Sequence, residues 1–136
     1  MTYIFDACAL LALLKREEGA DKVKTLLDEA QKGKSFIYMN IVNLIEINYC
    51  FQRVFGKEKT ALILEQIYTL PISFIEIIDD IIFAETSRIK ACYAIPLGDA
   101  LGLATSIKMN GTFVTGDHSD FEEIEKAEAV PFFWFR

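Results

Sequence analysis

The chain carries one histidine, one tryptophan and only three cysteines, Cys8, Cys50 and Cys92, which lie far apart. With no CxxC pair and a single histidine, a zinc site is excluded, and an odd set of dispersed thiols excludes a disulfide framework. Each cysteine has apolar neighbours, so all three are expected in or near the core as free thiols in a reducing compartment. Three prolines and seven glycines among 136 residues are too few for a collagen-like or linker-like chain. No uncharged apolar run approaches the roughly eighteen residues a membrane span needs. The apolar stretch Ala7 to Leu14 lacks a preceding positive residue and is bracketed by Asp6 and by Lys15-Arg16-Glu17-Glu18, so it does not read as a signal peptide. A cytoplasmic location is expected. Positive charge is also scarce: 14 Lys and Arg stand against 20 Asp and Glu, giving −6. That argues against nucleic acid held by charge alone, although carboxylates gathered around divalent cations reverse the local sign.

What is present is apolar: 52% of the residues are hydrophobic, and Leu, Ile, Val and Phe run throughout. A chain of this length buries roughly two-thirds of its unfolded surface, so residues 1–136 are read as one domain. Short apolar runs alternate with longer periodic ones, as in strands interleaved with helices. Strands are expected at Tyr3–Phe5, Ser35–Met39, Ile72–Ile77, Thr112–Thr115 and Phe132–Phe135. Helices are expected at Ala9–Lys15, Ala20–Gln31, Ile41–Phe55, Lys57–Tyr68, Asp80–Cys92, Asp99–Met109 and Phe121–Lys126. Val23, Leu26, Leu27 and Ala30 recur at helical spacing, Gly56 is a C-terminal stop, and Asp79 is a natural N-cap. Such alternation implies a mostly parallel sheet covered on both faces.

In an open parallel sheet, sites form at the carboxyl ends of the strands. Asp6 follows the first expected strand, Asp117 follows the fourth, and Asp99 opens a helix near the same rim. Glu46 stands among Leu44, Ile45 and Ile47, an acid inside an apolar stretch, and burying an unpaired carboxylate is costly. A divalent cation is one reason for such an acid, since Mg²⁺ and Mn²⁺ take carboxylates and waters and need no His or Cys. Each acid taken singly is equally explained as a helix cap or a solvated residue, Asp99 above all, because a first-turn Asp suits the helix dipole.

Ile4-Phe5-Asp6-Ala7-Cys8-Ala9-Leu10 resembles the opening strand and turn of PIN domains, written as apolar residues and then D-x-S-A-L. Asn43-Leu44-Ile45-Glu46 resembles their second acidic position, Pro96-Leu97-Gly98-Asp99-Ala100-Leu101 the third, and Phe113-Val114-Thr115-Gly116-Asp117 the fourth, with Phe121 in place of the aromatic that follows. The resemblance implies a PIN-like three-layer α/β/α sandwich around about five strands. It also implies an Mg²⁺- or Mn²⁺-dependent endoribonuclease. Small PIN domains of this size are most often VapC-type toxins, commonly homodimers neutralised by a cognate antitoxin. Carried over, Asp6, Glu46, Asp99 and Asp117 would hold the metal and position the attacking water, with Thr115 bonding the acids.

Two positions depart from the family pattern. Cys8 stands where Ser is usual, exchanging a hydroxyl for a weakly bonding thiol. Asp117-His118-Ser119-Asp120-Phe121 carries one residue more than D-x-D-F, with Asp120 as a supporting candidate. His118 is expected to be simply solvated. No basic patch with interleaved aromatics marks a single-strand binding platform, and Phe132–Phe135 is expected as a buried final strand. A receiver-type phosphoacceptor is excluded, because the first strand ends in a single Asp. A dehalogenase-like phosphatase is excluded because Asp6-Ala7-Cys8 lacks the second acid. A non-catalytic PIN-fold binding module and a housekeeping RNA-processing nuclease are the other readings.

Overall fold

A computed structural model describes residues 1–136, and all its strands pair in parallel. In chain order the elements are β1 (Thr2–Phe5), α1 (Ala7–Lys15), α2 (Ala20–Gln31), β2 (Phe36–Asn40), α3 (Ile41–Phe55), α4 (Lys57–Tyr68), β3 (Ser73–Ile75), α5 (Asp80–Cys92), α6 (Leu97–Met109), β4 (Thr112–Thr115), α7 (His118–Ala127) and β5 (Phe132–Trp134). The five strands are ordered β3-β2-β1-β4-β5. The chain therefore leaves β1 in one direction along the sheet and later returns to its other side. That reversal opens a crevice beyond the carboxyl ends of β1 and β4.

Period-two alternation sends side chains to two separate cores. Tyr3 and Phe5 of β1 pack under α1 to α4 with Leu10, Val23, Leu27, Ile47 and Phe51. Ile4 points the other way and joins Phe113, Ile82, Ile89, Leu103, Phe121 and Ile124 under α5 to α7. The result is the expected three-layer sandwich with a five-stranded parallel sheet. No helix is long and apolar enough to cross a membrane.

Helices α2 to α5 and strand β4 occupy their expected ranges, and Asp79 caps α5 by accepting from the Ile82 amide at 2.9 Å. Three helices begin earlier than expected, each for a local reason. Asp6 caps α1 through the Ala9 amide, so the helix opens at Ala7. Pro96 stands at the N-cap of α6, which opens at Leu97 rather than Asp99. Asp117 caps α7 through the Asp120 amide, so that helix opens at His118 rather than Phe121. Strand β3 is shorter than Ile72–Ile77, because it pairs with β2 over Ser73, Phe74 and Ile75 alone. The cysteine expectation fails at one position. Cys8 and Cys50 are half-buried, whereas Cys92 closes α5 beyond its buried stripe of Ile82, Thr86 and Ile89 and is exposed.

Candidate metal centre

Asp6 sits at the end of β1 with 3% of its surface exposed. Its carboxylate accepts hydrogen bonds from the Ala9 amide at 3.0 Å, the Thr115 hydroxyl at 2.6 Å and the Cys8 thiol at 3.0 and 3.1 Å. These donors favour the charged form, yet burial outweighs them and pushes the carboxyl up to about 6. Thr115 and Cys8 also fasten the β4 end. Thr115 Oγ1 accepts from the Asp117 amide at 3.1 Å, and Cys8 Sγ accepts from the Gly116 amide at 3.3 Å. The strand ends carrying Asp6 and Asp117 are thus tied together by one hydroxyl and one thiol.

Asp99, Asp117 and Asp120 offer carboxylate oxygens that lie within 4.8 Å of one another. Asp117 accepts from the Asp120 amide at 3.2 Å and the Ser119 hydroxyl at 2.8 Å. This cap places Asp117 and Asp120 one helical turn apart on the same side. Asp99 faces them from the first turn of α6. Burial, hydrogen bonding to Asp120, and the charges of Asp6, Asp120 and Asp117 push Asp99 up to about 8. Like charges held this close resist joint ionisation until a cation joins them.

Glu46 lies outside that trio, against the α6 N-terminus. Asn43, fully buried, donates from Nδ2 to Glu46 Oε1 at 3.2 Å and to the Gly98 carbonyl at 3.0 Å. A Cβ at Gly98 would overlap the Glu46 carboxylate, so glycine is what lets α6 approach this acid. Asn43 thereby links the helix bearing Glu46 to the residue preceding Asp99. Its amide was legible only as part of a motif, because its bond to Gly98 spans 55 positions.

The structure thus brings Asp6, Asp99, Asp117, Asp120 and Thr115 to the carboxyl ends of β1 and β4, and sets Glu46 beside Gly98. The donor set fits a hard divalent cation: it is all carboxylate oxygen, with no imidazole, and two of its acids are held up in pKa by burial and mutual repulsion. His118 is exposed but not free. Its Nδ1 lies 2.8 Å from Glu122 Oε1, its Nε2 2.7 Å from the Arg136 carbonyl, and its ring stacks on Trp134.

The family model of the PIN domain matches residues 3–127. No curated protein matches the sequence significantly. Among solved structures, a chain of VapBC2 from Rickettsia felis, bound to a DNA fragment from its promoter, aligns with TM-score 0.75 at 18% identity, covering 98% of each chain. DNA-bound VapBC from Salmonella typhimurium aligns with TM-score 0.74 at 13% identity over 100% of this chain and 99% of that one. FitAcB from Neisseria gonorrhoeae gives TM-score 0.68 at 16% identity over 98% and 97%. At these identities the likeness is one of fold.

Proposed function

The chain belongs to the PIN domain family, and from that premise we propose that it is a metal-dependent endoribonuclease, the toxin of a toxin–antitoxin pair. The observation that carries the reading is the Asp99, Asp117 and Asp120 trio facing buried Asp6 across the β1/β4 crevice. In this reading Asp6, Asp99, Asp117 and Glu46 hold Mg²⁺ or Mn²⁺ and orient the attacking water, with Asp120 supporting them. A bound ion of this kind supplies an activated water and neutralises charge building on the phosphate. Thr115 and Cys8 fix the Asp6 carboxylate, so its oxygens need no reorganisation during the reaction. Asp99 holds its proton near neutral pH while unligated and releases it on ligation. Asn43 orients Glu46.

Three free cysteines accord with the cytoplasm, where RNA is at hand. The similar folds come from VapBC and FitAcB assemblies, which supports an antitoxin partner for this chain. Helices α3 and α4 expose Ile45, Tyr49, Val54, Leu62 and Tyr68, apolar surface available to an antitoxin or to a second copy in a homodimer. A decayed, non-catalytic site is not favoured, since the Cys8 thiol still donates to Asp6.

The test is incubation of purified protein with tRNA and rRNA, with Mg²⁺ or Mn²⁺, against EDTA and the Asp99→Asn variant. Discrete cuts that need the metal and vanish in the variant are expected. Equal cleavage in the variant and in EDTA overturns the reading.

A further inference from the structure

Three aromatic rings form a ladder along one face of β5. Phe132 is its inner rung, packed edge-on against Phe113 at 5.4 Å and tilted against Phe121 at 5.9 Å. Trp134 stacks on Phe132 at 5.5 Å and 28°. His118 stacks on Trp134 at 4.2 Å and 14°, nearly parallel. Each outer ring is fixed in its own plane. The Trp134 indole donates to Glu125 at 3.0 Å, and both imidazole nitrogens are engaged by Glu122 and the Arg136 carbonyl. With its edges bonded and one face stacked on Trp134, the His118 side chain still has 46% of its surface exposed.

The ladder ends beside the acidic centre. Trp134 pairs in register with Thr115, the residue that bonds Asp6, and His118 directly follows Asp117. Helix α7 is already capped by Asp117, so three restraints on His118 are not needed to start the helix.

We propose that the open face of His118, backed by Trp134 and Phe132, is a platform on which an unpaired RNA base stacks beside the scissile phosphate. The proposal rests on the ribonuclease reading and adds how the substrate is held. A base fits better than a phosphate here, because Glu122 and Glu125 border the ladder and repel a phosphate, whereas the uncharged face of a base tolerates them. The rings are already ordered, so stacking costs little side-chain entropy. Arg136, whose carbonyl meets His118 and whose guanidinium donates to the Gly116 carbonyl at 3.5 Å and pairs with Glu17 at 3.7 Å, is a cation at the His118 end of the ladder that could meet the adjoining phosphate.

The experiment uses short RNAs spanning a mapped cut site, with 2-aminopurine at one position in turn, titrated into the cleavage-silent Asp99→Asn protein with Mn²⁺. Fluorescence quenching confined to one position is expected, accompanied by a change in emission from Trp134, the only tryptophan. Adding His118→Ala should abolish that quench and weaken binding about tenfold, the range of one base–aromatic stack, while His118→Phe should retain both. An abasic site at the quenched position should weaken binding to His118 protein by a similar factor and leave His118→Ala protein unaffected. In the catalytically intact background, His118→Ala should raise KM about tenfold. If that background cleaves RNA while His118→Ala binds and cleaves as well and no position is quenched, the platform is wrong and the nuclease stands. If the protein neither binds nor cleaves RNA, the nuclease reading fails and the platform with it.

Discussion

Asp6 accepts bonds from an amide, a hydroxyl and a thiol, and its carboxyl still sits near 6 because burial outweighs all of them. The consequence is a stability cost for ionised acids in the metal-free protein. Asp6 rises from 3.8 to about 6 and Asp99 from 3.8 to about 8, so the folded state binds more protons than the unfolded one across that window. Stability then falls as pH rises, by up to about 3 kcal/mol for Asp6 alone at about 1.4 kcal/mol per pKa unit. His118, also raised, acts in the same direction. In EDTA the melting temperature should decline from pH 6 to pH 8, and Mn²⁺ should lift it most at pH 8, where the acids are ready to bind. A melting temperature in EDTA that climbs over this interval contradicts the assignment. The thiol beside Asp6 supplies a second prediction at this scale. Cys8→Ser should keep the bond to Asp6 and keep activity within a few-fold. Cys8→Ala leaves the Gly116 amide without its acceptor and should cost about 1–2 kcal/mol in urea unfolding.

Among the elements, α3 and α5 were legible because their signals are local: helical spacing of apolar residues, Gly56 after one, Asp79 before the other. The starts of α6 and α7 were not, and the reason bears on the site. Read as a loop before Phe121, Asp117 and Asp120 have no fixed relation. Once Asp117 is the cap, they stand one turn apart and both face Asp99. Asp6, Asp99 and Asp117 near one rim could be read from strand ends and motif order, whereas Asp120 joins them only through the cap and Glu46 stands apart beside Gly98. The role of Asn43, and the stack of His118 on Trp134 across 16 positions of sequence, depend on packing and could not. Gly98 tests how much that packing matters. Alanine there would place a methyl group where the Glu46 carboxylate now lies, and the carboxylate, the free end of a flexible side chain, would swing aside at little cost in stability. Gly98→Ala should leave the urea midpoint nearly unchanged while reducing RNA cleavage about tenfold, or about 1.4 kcal/mol of barrier, because Glu46 is displaced. Unchanged cleavage would show that Glu46 can swing aside without consequence.

At the scale of the whole molecule, a protein of net charge −6 that acts on RNA cannot rely on counterion release. Its basic residues are dispersed, and several are already paired: Arg88 with Glu85 and Glu128, Lys108 with Asp79, Lys126 with Glu123. In the proposed reading, the substrate is held chiefly by a cation bound to the acids and by contact with bases, and neither is strongly screened by monovalent salt. Proteins that bind single strands through many lysines and arginines lose affinity steeply with salt, with log–log slopes near −4 to −7 for roughly 6–10 phosphate contacts. Here the slope should be shallow, about −1 to −3, for a short single-stranded RNA on the Asp99→Asn protein followed by fluorescence anisotropy in Mn²⁺. Removing the residual divalent ion with EDTA should cost more affinity than raising KCl from 50 to 200 mM. A steep slope that is indifferent to Mn²⁺ would place the RNA on a basic surface instead, away from the β1/β4 crevice and its aromatic edge.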